Sequence, residues 1–124
     1  MPSREEFQVN TIIGPRSFIQ GDISAAGFTR VDGSVQGNVQ AEGRVIIGDE
    51  ARVKAGVRGT TVTINGVVVG DIIASKRLTI MSNAVIIGDC ITRRIRADMG
   101  CIIQGKVRVI PDERAWEEAV KNYA

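Results

Sequence analysis

The sequence of 124 residues has no histidine, a single leucine and two cysteines, and aromatic residues make up only 4% of it. Without histidine it cannot build a Ser-His or Cys-His nucleophile or a histidine metal site. Two cysteines, Cys90 and Cys101, are too few for a four-cysteine zinc site or a disulfide framework. We therefore expect a protein that is not an enzyme, with no catalytic residues, no metal and no cofactor.

Long apolar runs are also missing. No stretch approaches the roughly 18–20 apolar residues of a transmembrane helix, and residues 1–7 lack the apolar core of a secretory signal. The net charge is only +2, too small to indicate a nucleic-acid partner. These features predict an intracellular protein that does not span a membrane.

The abundant residues are those of β-structure. The chain contains 17 Ile, 15 Val, 7 Thr and 14 Gly. Because β-branched side chains fit a pleated surface and leucine is the usual residue of helical cores, a mainly helical protein is excluded. The length corresponds to one domain.

A repeat of the form aliphatic-x-Gly-x-aliphatic runs through the chain, with Ala55 in the glycine position of the third copy. The copies begin 15–18 residues apart. They are 19–23, 35–39, 53–57, 68–72, 86–90 and 103–107.

A second, offset repeat places a polar residue before an aliphatic pattern with period two, as in Arg44-Val45 and Arg77-Leu78. Units of this length with period-two alternation are typical of coils in a parallel β-solenoid. Six coils stacked at the strand spacing form a rod of roughly 30 Å. An antiparallel sandwich would not keep glycine in register between units. The sequence therefore predicts an all-β, single-domain parallel β-helix of about six coils.

Residues 33–39, the paired Gly-Asp-Ile units and residues 42–51 resemble the bactofilin family, as do Thr11-Ile-Ile-Gly14 and Gln20-Gly-Asp-Ile23. The resemblance covers about residues 11–109. It implies a right-handed β-helix that polymerises end to end, without nucleotide, into cytoskeletal filaments. It further implies a bacterial scaffold for cell shape or cell-wall proteins, in the cytoplasm and often at the inner face of the cell membrane. Residues 1–10 lack the hydrophobic or cationic segment that attaches many family members to membrane.

The two ends of the rod carry as many aliphatic residues as its middle, whereas soluble solenoids need polar end caps. Two such ends can bury each other by continuing the sheet. The alternative is that the terminal tails cover them. The predicted polymer interface consists of Ile13, Ile19, Ile23, Ile95, Ile103, Val107 and Val109.

Three motifs that resemble chemical sites fit the repeat better. Residues 100–106 have the spelling of a phosphate loop, but Val107 stands where Ser or Thr would hold magnesium. Residues 47–58 resemble two hexapeptides of a left-handed β-helix acyltransferase, a class that generally needs histidine. One corner slot holds Asp22, Asn38, Asp71 and Asp89; carboxylates there suit calcium, but Gly56 and Lys106 interrupt the series, which favours solvated corner residues.

One face is polar in the first three coils and apolar in the last three. Such a patch indicates that something covers it. Residues 111–124 have the start signals and apolar spacing of an amphipathic helix too short to be stable alone. We predict a flexible tail over 1–9, a β-helix over 10–110 and a helix over 111–124. Three positions of the helix stay open: on the patch, across the C-terminal end of the rod, or free as an arm for a partner. The patch and the helix residues that would dock on it are Val67, Val69, Val85, Ile87, Ile102, Trp116 and Val120.

Arginines recur in the offset repeat. Arg30, Arg44, Arg77 and Arg94 would form a ladder, with Thr61 at its middle rung. Repetition along a filament would give this ladder avidity for anionic lipid or another anion; ordinary surface charge is the alternative. Nucleic acid is not expected, because aromatic stacking residues are absent. Two functions remain: a filament-forming scaffold, or a monomeric or dimeric module that holds a protein partner through its apolar face and helix.

Overall fold

A computed structural model of the protein describes residues 9–121, with side chains from residue 11 onward. The predicted tail over 1–9 lies almost entirely outside the described residues, as do residues 122–124 of the predicted helix. Within them the chain forms short strands followed by one helix, α1 (Glu113–Lys121). The strands are β1 (Val9–Ile13), β2 (Phe18–Gln20), β3 (Ile23–Ala25), β4 (Phe28–Val31), β5 (Ser34–Gln36), β6 (Val39–Ala41), β7 (Arg44–Ile47), β8 (Arg52–Lys54), β9 (Val57–Ile64), β10 (Val67–Val69), β11 (Ile72–Ile80), β12 (Val85–Ile87), β13 (Cys90–Thr92), β14 (Ile95–Ala97), β15 (Ile102–Gln104) and β16 (Val107–Val109).

The strands stack in three parallel columns, which we call faces A, B and C. Face A contains β1, β4, β7, the second halves of β9 and β11, and β14. Face B contains β2, β5, β8, β10, β12 and β15. Face C contains β3, β6, the first halves of β9 and β11, β13 and β16. Each coil runs through A, B and C in turn, so the predicted parallel solenoid of about six coils is confirmed.

Alternation along each strand builds the core. On face B, the central residues Val35, Val53, Val68 and Ile86 stack in register and are almost completely buried. Their neighbours on either side point outward. Because the interior is narrow, small aliphatic side chains fill it, which accounts for the scarcity of leucine and aromatic residues.

The repeated glycine marks the corner between faces B and C. At Gly70, with φ of 153°, a Cβ atom would lie only 1.8 Å from the carbonyl oxygen of Ala55 in the coil before. Ala55 itself occupies the same corner with φ of 151°, a conformation that L residues rarely adopt. The corner therefore favours glycine both for its backbone angle and for the close approach of consecutive coils, and Ala55 occupies it at the cost of a strained backbone.

The polar residue after this corner binds the neighbouring coil. The Asp22 side chain accepts a hydrogen bond from the Asn38 backbone N–H (2.9 Å), and the Asn38 side chain accepts one from Gly56 (2.8 Å). Asp71 accepts from the Asp89 N–H (3.0 Å), and Asp89 accepts from Lys106 (2.9 Å). These side chains satisfy backbone groups of the next coil, which gives the corner slot a structural role in stacking the coils.

Helix α1 lies along face C. Trp116 and Ala119 pack on Ile91, with Ile73, Ile110 and Val120 around them. Trp116 and Val120 also border a groove with Gln40, Arg58 and Ser75, so the helix turns back from the last coil towards earlier coils. Its nine residues span about 13.5 Å, the height of about three coils.

Candidate functional site

The C-terminal end of the rod exposes residues that belong to its core. Val107 stacks on the fully buried Cys90, yet 39% of Val107 is exposed. Val109 stacks on the buried Thr92 and is 43% exposed. Ile95 and Ile103 are half-buried. Within the described residues, β14, β15 and β16 pair along one edge only, so this end offers apolar side chains together with open strand edges.

The N-terminal end has the same character. Strands β1, β2 and β3 pair along one edge only within the described part of the chain. Ile19 and Ile23 point inward and are half-buried, while Ile13 is buried. The predicted polymer interface is therefore gathered by the fold into two groups, one at each end of the rod.

The helix does not close the C-terminal end. Its apolar side chains contact Ile91 and Ile73, which point outward from face C. Ile91 belongs to the fifth coil and Ile73 to the fourth, so both lie before the last coil. The alternative of a helix across the end of the rod is therefore wrong, because α1 lies on the side.

The predicted docking of the helix on the face B patch is also wrong. In the structure, Val69, Ile87 and Ile102 are 42%, 43% and 52% exposed, and Trp116 and Val120 pack on face C instead. The physical reason is that the chain leaves the last coil from β16 on face C, and the three residues between β16 and α1 reach at most about 10 Å. The patch of Val67, Val69, Val85, Ile87 and Ile102, which we call the face B patch, remains uncovered by the described residues.

The arginine ladder on face A differs from the prediction by one member. The strand pairing aligns Arg44, Thr61 and Arg77. Because Leu78 pairs with Ile95, Arg94 continues this column. Arg30 pairs with Ile46 instead and so lies two residues away, in the adjacent outward column. On the preceding strand, β4, the position next to Arg44 is occupied by Phe28. The Arg44 guanidinium lies 5.7 Å from the centre of the Phe28 ring.

Arg30 is instead paired with a carboxylate just past the end of its own strand. Its Nε donates to Asp32 at 2.8 Å, and this hydrogen bond and the nearby carboxylate raise the pKa of Arg30. The prediction that Arg30 belongs to the ladder is wrong, because a shift of two residues leaves the inward and outward pattern of a strand unchanged.

Groups for chemistry are sparse in the described part of the chain. No cluster of three or more Cys, Asp or Glu side chains there could hold a metal ion. Burial raises the pKa of the Cys90 thiol to about 11, and the carboxylates of Asp89 and Asp71 add to the shift. Cys101 is a separate, half-buried free thiol. Among residues 9–121 no helix has the length and apolar character needed to cross a membrane.

Three features of these surfaces were not foreseen from the sequence. Ile73 and Ile91 form the seat of the helix, and their signal was that they interrupt an outward column whose other members are Ser24, Gln40, Arg58 and Arg108. Lys76 and Arg93 flank the cationic column, and each directly precedes one of its arginines. The hydrogen bonds that the corner Asp and Asn side chains make to the next coil had no sequence signal, except that these residues recur at the same position of the repeat.

Comparison with known proteins agrees with this architecture. Residues 11–108 match the family model described as bactofilin, polymer-forming cytoskeletal; α1 lies outside the match. The chain is 28% identical to bactofilin BacO of Myxococcus xanthus over 111 residues, which cover 90% of this chain and 88% of that protein. It is 29% identical to BacP of the same organism, covering 85% of this chain and 47% of BacP.

Solved structures show the same fold. A cryo-EM reconstruction of Thermus thermophilus bactofilin double helical filaments matches with a TM-score of 0.76 and 29% identity. That match covers 80% of this chain and 98% of the other. A crystal structure of a phenylalanine-to-arginine mutant of the Thermus thermophilus bactofilin matches with a TM-score of 0.67 and 29% identity, over 71% of this chain and 98% of the other.

Proposed function

Because the chain belongs to the bactofilin family of polymer-forming cytoskeletal proteins, we propose that it polymerises end to end into filaments without nucleotide. The interface consists of Ile13, Ile19 and Ile23 at one end and Ile95, Ile103, Val107 and Val109 at the other. The filaments act as a scaffold for proteins of cell shape or cell-wall synthesis, in the cytoplasm.

The observation that carries the proposal is the pair of open ends. Core residues that are fully buried in the inner coils become half-buried or exposed at the last coil, as Cys90 and Val107 illustrate. Joining two ends removes this apolar surface from water and pairs the free strand edges. No nucleotide is needed, since the interaction uses only side chains and backbone of the chain itself.

The test is negative-stain electron microscopy of the full chain, without nucleotide, for two matched variants. Val107→Glu places a charge in the end interface, and Ile87→Glu places one on face B at a similar exposure, 39% against 43%. We expect Val107→Glu to give small particles, because burying an unpaired carboxylate costs several kcal/mol. Circular dichroism checks that each variant keeps its strands.

Long filaments from Val107→Glu, equal in number to those of the wild type, would contradict end-to-end polymerisation. Small uniform particles from the wild type would favour the second function, a monomeric or dimeric module that holds a protein partner through the face B patch.

We further propose that the face B patch joins two filaments side by side. Its exposed Val69, Ile87 and Ile102 lie in the last three coils, and the Thermus relative forms double helical filaments. Under this proposal Ile87→Glu still polymerises but gives single, thinner filaments. Gln36→Glu, in the same outward column, keeps paired filaments. Paired filaments from Ile87→Glu would refute the assignment.

The scaffolding role is tested in cells that carry the protein. We expect a fluorescent fusion of the wild type to form discrete structures near sites of wall growth or at the membrane. The Val107→Glu fusion should spread evenly through the cytoplasm, because without end-to-end polymerisation it forms no filament that could be held at one place. Discrete structures formed by the Val107→Glu fusion would show that localisation does not depend on polymerisation, and would contradict the proposed scaffold.

A further inference from the structure

An open groove of about 430 Å³ runs along the corner where face C turns into face A. It lies apart from the face B patch and extends to the last coil, where Arg94 and Pro111 line it. Five of its seven lining residues are cationic. The lining consists of Arg44, Thr61, Lys76, Arg77, Arg93, Arg94 and Pro111.

The strand register sets the spacing of these cations. Arg44, Thr61, Arg77 and Arg94 occupy successive rungs of one column, and rungs are about 4.8 Å apart. Arg77 and Arg94 are therefore neighbours, close enough for both guanidinium groups to contact one anionic group. Thr61 interrupts the column with a short hydroxyl side chain, which leaves room for a ligand between Arg44 and Arg77.

The described residues supply no acidic partner to the groove cations, although they supply one to neighbouring arginines. In the adjacent outward column, Arg30 pairs with Asp32 at 2.8 Å and Arg96 with Asp98 at 3.6 Å. In each case the aspartate follows two residues later, just past the end of the strand. Within residues 11–121, no ion pair joins a groove cation to a carboxylate. The five like charges that line one groove repel one another, so the groove gains from any anion that neutralises them.

The segment between β16 and α1 positions Arg93 at one wall of the groove. The Arg93 Nη2 donates to the carbonyl oxygen of Pro111 at 3.0 Å. Pro111 in turn precedes α1, which is fixed to face C by Trp116. Arg93 is thus oriented before a ligand arrives, which lowers the entropic cost of binding.

We propose that this groove binds a polyphosphate anion, meaning a free compound or a headgroup with two or three phosphate groups. Arginine forks recognise phosphate through paired charge-assisted hydrogen bonds. A terminal phosphate carries up to about two negative charges, and a bridging or diester phosphate carries one. Two or three linked phosphates therefore bring several charges to the five cations, whereas a carboxylate brings only one. The groove lining contains no aromatic residue on which bases could stack, which disfavours single-stranded nucleic acid.

The proposal is tested by equilibrium binding of inorganic triphosphate to the full-length chain at low salt. The groove variant is Arg77→Gln with Arg94→Gln. The matched control is Arg52→Gln with Lys54→Gln, which removes two exposed cations from face B. We expect one triphosphate per chain for wild type and control, and a loss of about tenfold or more for the groove variant. Triphosphate should also raise the melting temperature of wild type and control more than that of the groove variant.

Absence of triphosphate binding, or equal weakening by both double variants, would overturn the proposal, because the effect would then be one of net charge. Tighter binding of a hexaglutamate peptide would overturn it in favour of an acidic protein segment. Flotation with vesicles containing cardiolipin identifies the source of the phosphates. Flotation lost only in the groove variant supports a headgroup, and binding of triphosphate without flotation supports a free compound.

Discussion

The seat of α1 can be tested by a single substitution beneath Trp116. Ile91 is 1% exposed although it points outward from face C, because Trp116 and Ala119 cover it. Ile91→Ser removes three carbon atoms from this contact, which corresponds to about 2–3 kcal/mol at roughly 0.8 kcal/mol per buried CH₂. A hydroxyl left under the indole without a partner costs about 1–3 kcal/mol more.

A loss of about 3–6 kcal/mol, the combined effect of the lost burial and the unpaired hydroxyl, should release the helix. A nine-residue helix is not stable by itself, and its docking free energy comes from a few side chains only. We therefore expect α1 to leave face C and unfold while the solenoid, whose coils are held by their own core, keeps its strands.

Intrinsic fluorescence is the assay, because Trp116 is the only tryptophan in the sequence. In Ile91→Ser the emission should move to longer wavelength and become more accessible to acrylamide. The control is Ile87→Ser on the face B patch, where the isoleucine is already 43% exposed. It makes the same chemical change in a strand, yet should leave the emission unaltered.

An unchanged emission in Ile91→Ser, with the shift appearing in Ile87→Ser, would refute the placement of the helix on face C. A red-shifted emission already in the wild type would refute docking on either face.

Further predictions concern the corner and the thiols. Gly70→Ala should lower the midpoint of denaturant unfolding, because its Cβ would lie 1.8 Å from the Ala55 carbonyl oxygen and the two coils would have to move apart. Conversely, Ala55→Gly should stabilise the protein by about 1 kcal/mol in denaturant unfolding, by relieving a residue at φ of 151°; a lower midpoint would contradict this. At neutral pH a maleimide should label Cys101 in the native protein and Cys90 only after unfolding, since burial raises the Cys90 pKa to about 11.

The repeat was readable because two independent constraints mark it. Inward residues alternate with outward ones, and glycine recurs at a corner where a Cβ atom would collide with the coil before. Together they determine which residues of face B point inward and how its strands align between coils. The columns that run from Phe18 to Ile102 and from Gln20 to Gln104 follow the strand pairing.

Face A lacks such a mark, and there the register prediction failed. Arg30 and Arg44 each precede an inward valine, so both fit an outward arginine column. The structure pairs Arg30 with Ile46 and leaves Phe28 beside Arg44. A two-residue slip preserves alternation, so only the hydrogen-bonded pairing of β4 with β7 distinguishes the two registers.

The solenoid, its aliphatic core and its apolar ends follow from the amino-acid pattern alone, because they depend on local periodicity repeated in every coil. The position of α1 and the set of cations that share a groove depend on three-dimensional packing. An amphipathic helix must dock, but two apolar surfaces were available to it. The short linker from the end of face C selected Ile73 and Ile91, and that choice left the face B patch free and placed Pro111 beside Arg93.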